Sequence, residues 1–161
     1  MTIPLSKTHP PTLFRRCMEI TRIGVIGAGQ MGNGIAQVAA CAGYQVMMID
    51  LAQTYVDKGM SSIEFSLSKL VSKDRMSQEE ADTALALVNT STSKEAASQC
   101  DLVIEAIPEI PDLKFSIFSE LDGICKDSTI LASNTSSISI DEIAIVTRFT
   151  FIDPTIPARL G

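Results

Sequence analysis

The sequence holds no tryptophan and one histidine, and aromatic residues make up only 5% of its 161 positions. A lone histidine (His9) gives a metal ion little to bind. The four cysteines, Cys17, Cys41, Cys100 and Cys125, include no C-x-x-C pair. A structural zinc site is therefore not expected, and the cysteines read as free thiols of a reducing compartment. No apolar run approaches the ~20 residues that span a bilayer. Positive charge is scarce as well: 13 Lys and Arg stand against 19 Asp and Glu, for a net charge of −6. That balance argues against nucleic acid and anionic membrane surfaces as partners, so any anionic ligand must be held by local donors. What is present is ordinary for a globular chain, 45% hydrophobic and 20% charged, with length enough for one domain and a buried core.

The most informative stretch runs from Arg22 to Asp50. Ile23–Ile26 is a short apolar strand, followed at once by Gly27-Ala28-Gly29-Gln30-Met31-Gly32 in the spacing G-x-G-x-x-G. A helix follows, with Met31, Ile35, Val38 and Ala42 expected on its apolar face and Gly43 at its end. Gln45–Ile49 reads as a second strand ending on Asp50. Strand, glycine turn, helix, second strand and a terminal acid about twenty residues on form the dinucleotide-binding fingerprint in its structural context. Each glycine has a mechanical role. Gly27 permits the sharp turn, Gly29 leaves room for a pyrophosphate to approach the backbone, and Gly32 lets the helix pack close to the strand. The helix N-terminus offers N–H groups and a positive dipole end to phosphates. Asp50 can accept from both ribose hydroxyls and would repel a 2′-phosphate, which selects NAD over NADP.

Other elements follow in order. Met1–Cys17 carries Pro4, Pro10 and Pro11 with three basic residues and no acid. It reads as either a weak transit peptide or an extension outside the fold, so the compartment is cytoplasmic or the mitochondrial matrix. After Asp50, Val56, Met60, Ile63, Leu67 and Leu70 recur at alternating spacings of four and three and predict a helix of about twenty residues. Ser77-Gln78-Glu79-Glu80 is a capping box opening a second helix, with Ala81, Ala84, Leu85 and Val88 as its apolar face. The two are expected to form a hairpin projecting from the sheet. Asn89–Thr92 reads as a short strand and 93–98 as a short helix. Asp101–Ile107 reads as a buried parallel strand, ended by Pro108 with Glu109 just beyond it. A helix striped by Leu113, Ile117, Leu121 and Ile124 comes next, then a strand over 129–132 running into Ser133-Asn134-Thr135-Ser136-Ser137. Ser139–Glu142 opens a last helix through Val146, and 149–152 is a short strand. The expected fold class is α/β, a Rossmann-type doubly wound and mostly parallel sheet with a helical hairpin inserted after the second strand.

Four features in order, VIGAGQMGNGIAQ, the hairpin after Asp50, DLVIEAIPE with a lysine five residues beyond, and ILASNTSSISI, resemble the 3-hydroxyacyl-CoA dehydrogenase family. The likeness covers about Arg22 to Ile143. It implies NAD as cofactor, with Gly27, Ala28, Gly29, Gln30, Met31, Gly32 and Asp50 holding the adenosine half and Glu109 and Lys114 contacting the cofactor beyond the phosphates. It implies that Ser136 touches both nicotinamide ribose and substrate, and that Ser66 and Lys73 face the CoA of an acyl-CoA substrate. The implied reaction is reversible oxidation of 3-hydroxyacyl-CoA to 3-ketoacyl-CoA, with hydride passing to the nicotinamide and a histidine, oriented by a glutamate, taking the hydroxyl proton.

The sequence departs from the family where that histidine belongs. The nearest counterpart of its H-F-x-N-P segment is Thr150-Phe151-Ile152-Asp153-Pro154, with Thr150 in the base position, and His9 precedes the first strand. Residues 18–161 therefore read as the cofactor domain of such an enzyme, truncated or altered after about Val146. The family's helical domain, through which its members dimerise, has no counterpart in the sequence. A non-catalytic NAD-binding module or structural protein on the same fold is the alternative. A dehydrogenase for a small hydroxy acid is a third reading, against which the hairpin and the Asn134–Ser137 loop speak.

Overall fold

The structure, a computed structural model, describes residues 19–138. The expected leader over 1–17, His9, the helix from Ser139 and the strand around Thr150 lie outside the described residues. Ten elements follow one another: β1 (Arg22–Ile26), α1 (Gln30–Cys41), β2 (Gln45–Ile49), α2 (Gln53–Val71), α3 (Gln78–Ala86), β3 (Val88–Ser91), a 3-10 helix (Lys94–Gln99), β4 (Leu102–Glu105), α4 (Pro111–Ile124) and β5 (Ile130–Ser133). The strands make one sheet in the order β3-β2-β1-β4-β5, and every pairing is parallel. The chain winds outward from β1 first to one edge and then to the other. The reversal therefore falls between β1 and β4, where open α/β sheets place their ligands.

Side chains alternate across the sheet, and each face has its own core. Ile23, Val25, Val46 and Met48 pack with α1, α2 and α3 through Ala36, Ala39, Ala40, Ile63, Leu67, Ala81 and Ala84. Ile26, Ile49, Val103 and Leu131 pack on the other face with α4 and the 3-10 helix through Ile117, Phe118, Leu121 and Ala97. Phe118 and Met48 are fully buried, each worth about 1.5–3 kcal/mol of apolar transfer. Asp101 ties the starts of β1 and β4 together, its Oδ2 accepting from the Thr21 and Arg22 backbone N–H groups at 2.9 Å each. Those bonds hold its carboxyl below the usual range.

Several expectations change, among them the α4 stripe, where Leu113 is exposed and Lys114 beside it is buried. The α1 stripe of Met31, Val38 and Ala42 is not the buried face: Met31 and Val38 are exposed, Ala42 caps the helix at the surface, and Ile35 is half-buried. The face against the sheet is Gly32, Ala36, Ala39 and Ala40. The reason is distance. A Cβ on Gly32 would lie 1.8 Å from the Gly27 carbonyl oxygen, so α1 lies too close to the turn for large side chains, and the small face wins over the apolar one. The α2–α3 hairpin does not simply project, because it shares a core with α1 and the sheet. Gly59 sets that approach: a Cβ there would meet Met48 Cε at 2.9 Å and the Ala28 oxygen at 3.0 Å. Lastly, Val88 begins β3 rather than ending a helix face. The capping box is as expected, with Ser77 and Glu80 bonded reciprocally. Among the described residues no helix is long and apolar enough to cross a membrane.

Candidate functional site

One row of residues across the sheet organises the site. Ile49 pairs with Ile26, Ile26 with Glu105, and Glu105 with Ser133. All four stand at the C-terminal ends of parallel strands. The ladder runs one bond further through Gly27 N to Ile49 O (2.7 Å), Ala106 N to Ile26 O (2.8 Å) and Asn134 N to Glu105 O (2.8 Å). The glycine loop, Asp50, Ala106 and the 134–137 loop therefore leave the sheet side by side.

On the β1–β2 side, Gly27 has φ +104°, and a Cβ would sit 2.7 Å from the Ala106 oxygen. Only glycine suits that position. Gly29 is the N-cap of α1 with no side-chain cap bond, and a Cβ placed there would meet nothing within 4 Å. The space in front of the helix N-terminus is thus open, while the space behind it is full. Asp50 braces the loop. Its Oδ2 accepts from the Ala28 N–H and its Oδ1 from the Leu51 N–H, both at 2.7 Å. An open cleft of about 340 Å³ lies here, lined by Ala28, Gly29, Gln30, Asn33, Lys58 and Ser62. The donor set fits the pyrophosphate and adenosine ribose of a dinucleotide: orphan helix N–H groups, a cation from α2 and a carboxylate at the strand end.

On the β4–β5 side the geometry centres on two glutamates. Glu105 and Lys114 are both fully buried. The Lys114 Nζ donates to Glu105 at 2.7 and 2.8 Å, faces the Ile107 carbonyl at 3.4 Å and meets Glu109 Oε2 at 3.1 Å. Glu105 also accepts from the Ile107 N–H at 2.7 Å and from Ser133 Oγ at 2.6 Å. Glu109, about one-third exposed, uses its other oxygen on the following loop. Oε1 accepts from the Thr135 hydroxyl, from the Ser136 and Ser137 N–H groups at 3.1 and 3.3 Å, and from Ser137 Oγ at 3.0 Å. The Thr135 hydroxyl first, then Lys114, Ser137 and Ser136, hold the Glu109 carboxyl down to about 2 against an opposing desolvation.

The structure therefore brings Gly27–Gly32, Asp50, Glu109 and Ser136 to one edge of the sheet. Lys114 has no exposed atom and reaches that edge through Glu109. Ser66 is half-buried on α2 and Lys73 is exposed in the turn after it; neither lines the cleft. Sequence reading passed over Lys58, Ser62 and Gly59, which carry no motif. It also passed over Glu105. The signal for Glu105 was there: a carboxylate inside an otherwise apolar buried strand requires a partner.

The family described as "3-hydroxyacyl-CoA dehydrogenase, NAD binding domain" matches residues 22–150. Similar curated proteins include a 3-hydroxybutyryl-CoA dehydrogenase of Bradyrhizobium diazoefficiens, 43% identical over 128 residues, covering 80% of this chain and 44% of that protein. A fatty acid oxidation complex subunit alpha of Psychrobacter is 35% identical over 142 residues, covering 88% of this chain and 19% of that one. Among solved structures, an (S)-3-hydroxybutyryl-CoA dehydrogenase from Ralstonia eutropha superposes with a TM-score of 0.79 at 43% identity, over 80% of this chain and 46% of its own. The chain spans about half the length of the 3-hydroxybutyryl-CoA dehydrogenases it matches.

Proposed function

The chain belongs to the family of 3-hydroxyacyl-CoA dehydrogenase NAD-binding domains, and we propose that it binds NAD across the sheet edge in the service of 3-hydroxyacyl-CoA oxidation to the 3-ketoacyl-CoA. The observation that carries this reading is the juxtaposition of Gly27–Gly32 and Asp50 on one side of the β1–β4 divide with Glu109 and Ser136 on the other. The first group suits the adenosine half. Gly29 leaves the phosphates their approach to the α1 N-terminus, Lys58 offers countercharge, and Asp50 accepts from the ribose hydroxyls. The second group suits the nicotinamide half and the reacting hydroxyl. NAD, when bound, supplies the hydride acceptor. Ser136 orients the substrate hydroxyl, Glu109 holds the Ser136 backbone in place, and Lys114 holds Glu109. Ser66 on α2 and Lys73 in the turn after it are the residues offered to the CoA, and Lys73 suits a CoA phosphate.

Proton removal is a separate matter. The single histidine of the sequence is His9, and none lies among the described residues. A positioned base contributes typically about 10²–10⁴-fold to such a step, and neither a serine nor a threonine hydroxyl serves as one near neutral pH. This favours a second reading for the 161-residue chain, NAD binding with little turnover of its own. Calorimetric titration with NAD tests the first claim, and absence of binding overturns it. Following NADH oxidation with saturating acetoacetyl-CoA on NAD-binding material tests the second. Turnover on the order of 1–10³ per second would overturn the reading of the chain as lacking its base.

A further inference from the structure

We propose that Glu105 is a positioning residue for the nicotinamide end of the cofactor site, acting through Lys114 on Glu109 and on the 134–137 loop. The proposal rests on the reading that NAD lies across the strand ends. Its starting point is a pair of charges where none is needed for stability. Glu105 and Lys114 are each wholly buried, and replacing such a pair by apolar residues is often neutral or stabilising. A pair that adds little to stability can still fix direction, and its geometry here does. The Glu105 backbone is locked between β1 and β5 by its register with Ile26 and Ser133. Its carboxylate is locked by the Ile107 N–H and Ser133 Oγ. Two short bonds then fix the Lys114 ammonium, which has only three N–H groups to give.

The same ammonium also donates to the Ile107 carbonyl at 3.4 Å and forms an ion pair with Glu109 Oε2, 3.1 Å away. Glu109 follows Pro108 in the connection before α4 and is the one partly exposed member of the chain of contacts. With Oε2 held from below, Oε1 is presented to Thr135, the Ser136 N–H and both donors of Ser137. The loop carrying Ser136 is thus tied to the rigid centre of the sheet by the relay Glu105, Lys114, Glu109, rather than by its own flank on β5 alone. A second tie is direct: Ser133, the last residue of β5, bonds Glu105 itself.

The test uses the double variant E105Q/K114M. The glutamine can still accept from the Ile107 N–H while its amide donates to Ser133 Oγ, and methionine fills the space of the lysine stem. Both charges go together, so no buried ion is left alone. The glycine loop and Asp50 are untouched, so ADP should bind as it does to the wild type. NAD should bind about tenfold more weakly, the loss expected when a charge-assisted bond is removed. An unchanged NAD affinity overturns the proposal, and so does an equal loss for ADP and NAD, which marks a general structural effect. A second measurement needs no ligand. Amide exchange at Ser136 and Ser137 should quicken in the variant while Ala28 and Leu51, bonded to Asp50, keep wild-type rates. Unchanged exchange at Ser136 and Ser137 overturns the relay. Wild-type protein that fails to bind NAD would instead overturn the cofactor reading, and the exchange rates would still decide whether Glu105 governs the loop.

Discussion

Adding a methyl group at each glycine of the 27–32 loop in turn should give three different outcomes, because the three positions face different surroundings. At Gly32 the new Cβ would lie 1.8 Å from the Gly27 oxygen and 2.8 Å from its carbon. Backbone is on both sides, so α1 must move away from the turn by more than an ångström. Overpacking of this kind costs about 1–3 kcal/mol or more, roughly 3–10 °C in melting temperature for a domain of this size. At Gly27 the methyl meets the Ala106 oxygen at 2.7 Å with φ at +104°, adding about 1–2 kcal/mol of backbone strain. Gly29 is different. Its φ of −63° and ψ of −172° suit any residue, and nothing lies within 4 Å of the new atom. The penalty for alanine at an N-cap and the gain from a less flexible unfolded chain are both about 0.5–1 kcal/mol and oppose one another. Gly29→Ala should therefore melt within a few degrees of wild type. Its methyl would stand where a pyrophosphate meets the helix N–H groups, and bonds to charged groups are worth about 1.5–3 kcal/mol each, so NAD affinity should fall at least tenfold. Scanning calorimetry and NAD titration on the three variants decide the matter. Wild-type NAD affinity in Gly29→Ala would refute the phosphate path, and a wild-type melting temperature in Gly32→Ala would refute the packing argument.

Lys114→Met alone should destabilise by about 3–5 kcal/mol in urea unfolding, since it strands the buried Glu105 carboxylate, and E105Q/K114M should recover most of that loss; equal stability of single and double variants would contradict it. NAD should bind more tightly than NADP because Asp50 stands at the end of β2, and equal affinities in calorimetry would remove Asp50 from that role. The Glu109 carboxyl lies well below its reference of 4.5, at about 2, so its hold on the loop is complete above the reference value and is lost only as pH falls toward 2; the Ser136 and Ser137 amide signals should titrate with a midpoint near 2, and a midpoint near 4.5 would refute the anchoring. Lys73→Glu should weaken acetoacetyl-CoA binding by placing like charges together, and an unchanged affinity would return Lys73 to plain surface.

Strands and turns were legible because their causes are local. Val25, Val46, Met48 and Val103 sit in short apolar runs bounded by glycine, proline or acid, and such runs admit little but a strand buried on both faces. The capping box at Ser77–Glu80 carries both of its bonds within four residues. Gly27 and Gly32 were legible for a related reason: the turn they form is closed within six residues, so the oxygen that excludes a Cβ on Gly32 belongs to Gly27 itself. The α1 face was not legible from hydrophobicity. Periodicity ranks residues by apolar character and points to Met31 and Val38, whereas the sheet selects by size at a fixed close distance and takes Ala36, Ala39 and Ala40.

The site divides along the same line. The adenosine side depends chiefly on one βαβ unit, spanning 29 positions from Arg22 to Asp50, to which α2 adds Lys58 and Ser62. The nicotinamide side depends on a row assembled from β1, β4 and β5, whose members, Ile26, Glu105 and Ser133, are brought together only by the fold. Glu105 stands among Leu102, Val103 and Ile104, and Lys114 stands one turn into an apolar helix. Each alone is a charged residue in an unsuitable place. Together they are nine residues apart and 2.7 Å distant, and each explains why the other is tolerated. An ionisable residue inside a pattern that demands an apolar one is thus the sequence's pointer to a partner. Here a second such residue on the next element was the place to look, because β4 and α4 are joined by a short connection that forces α4 back over the end of its own strand.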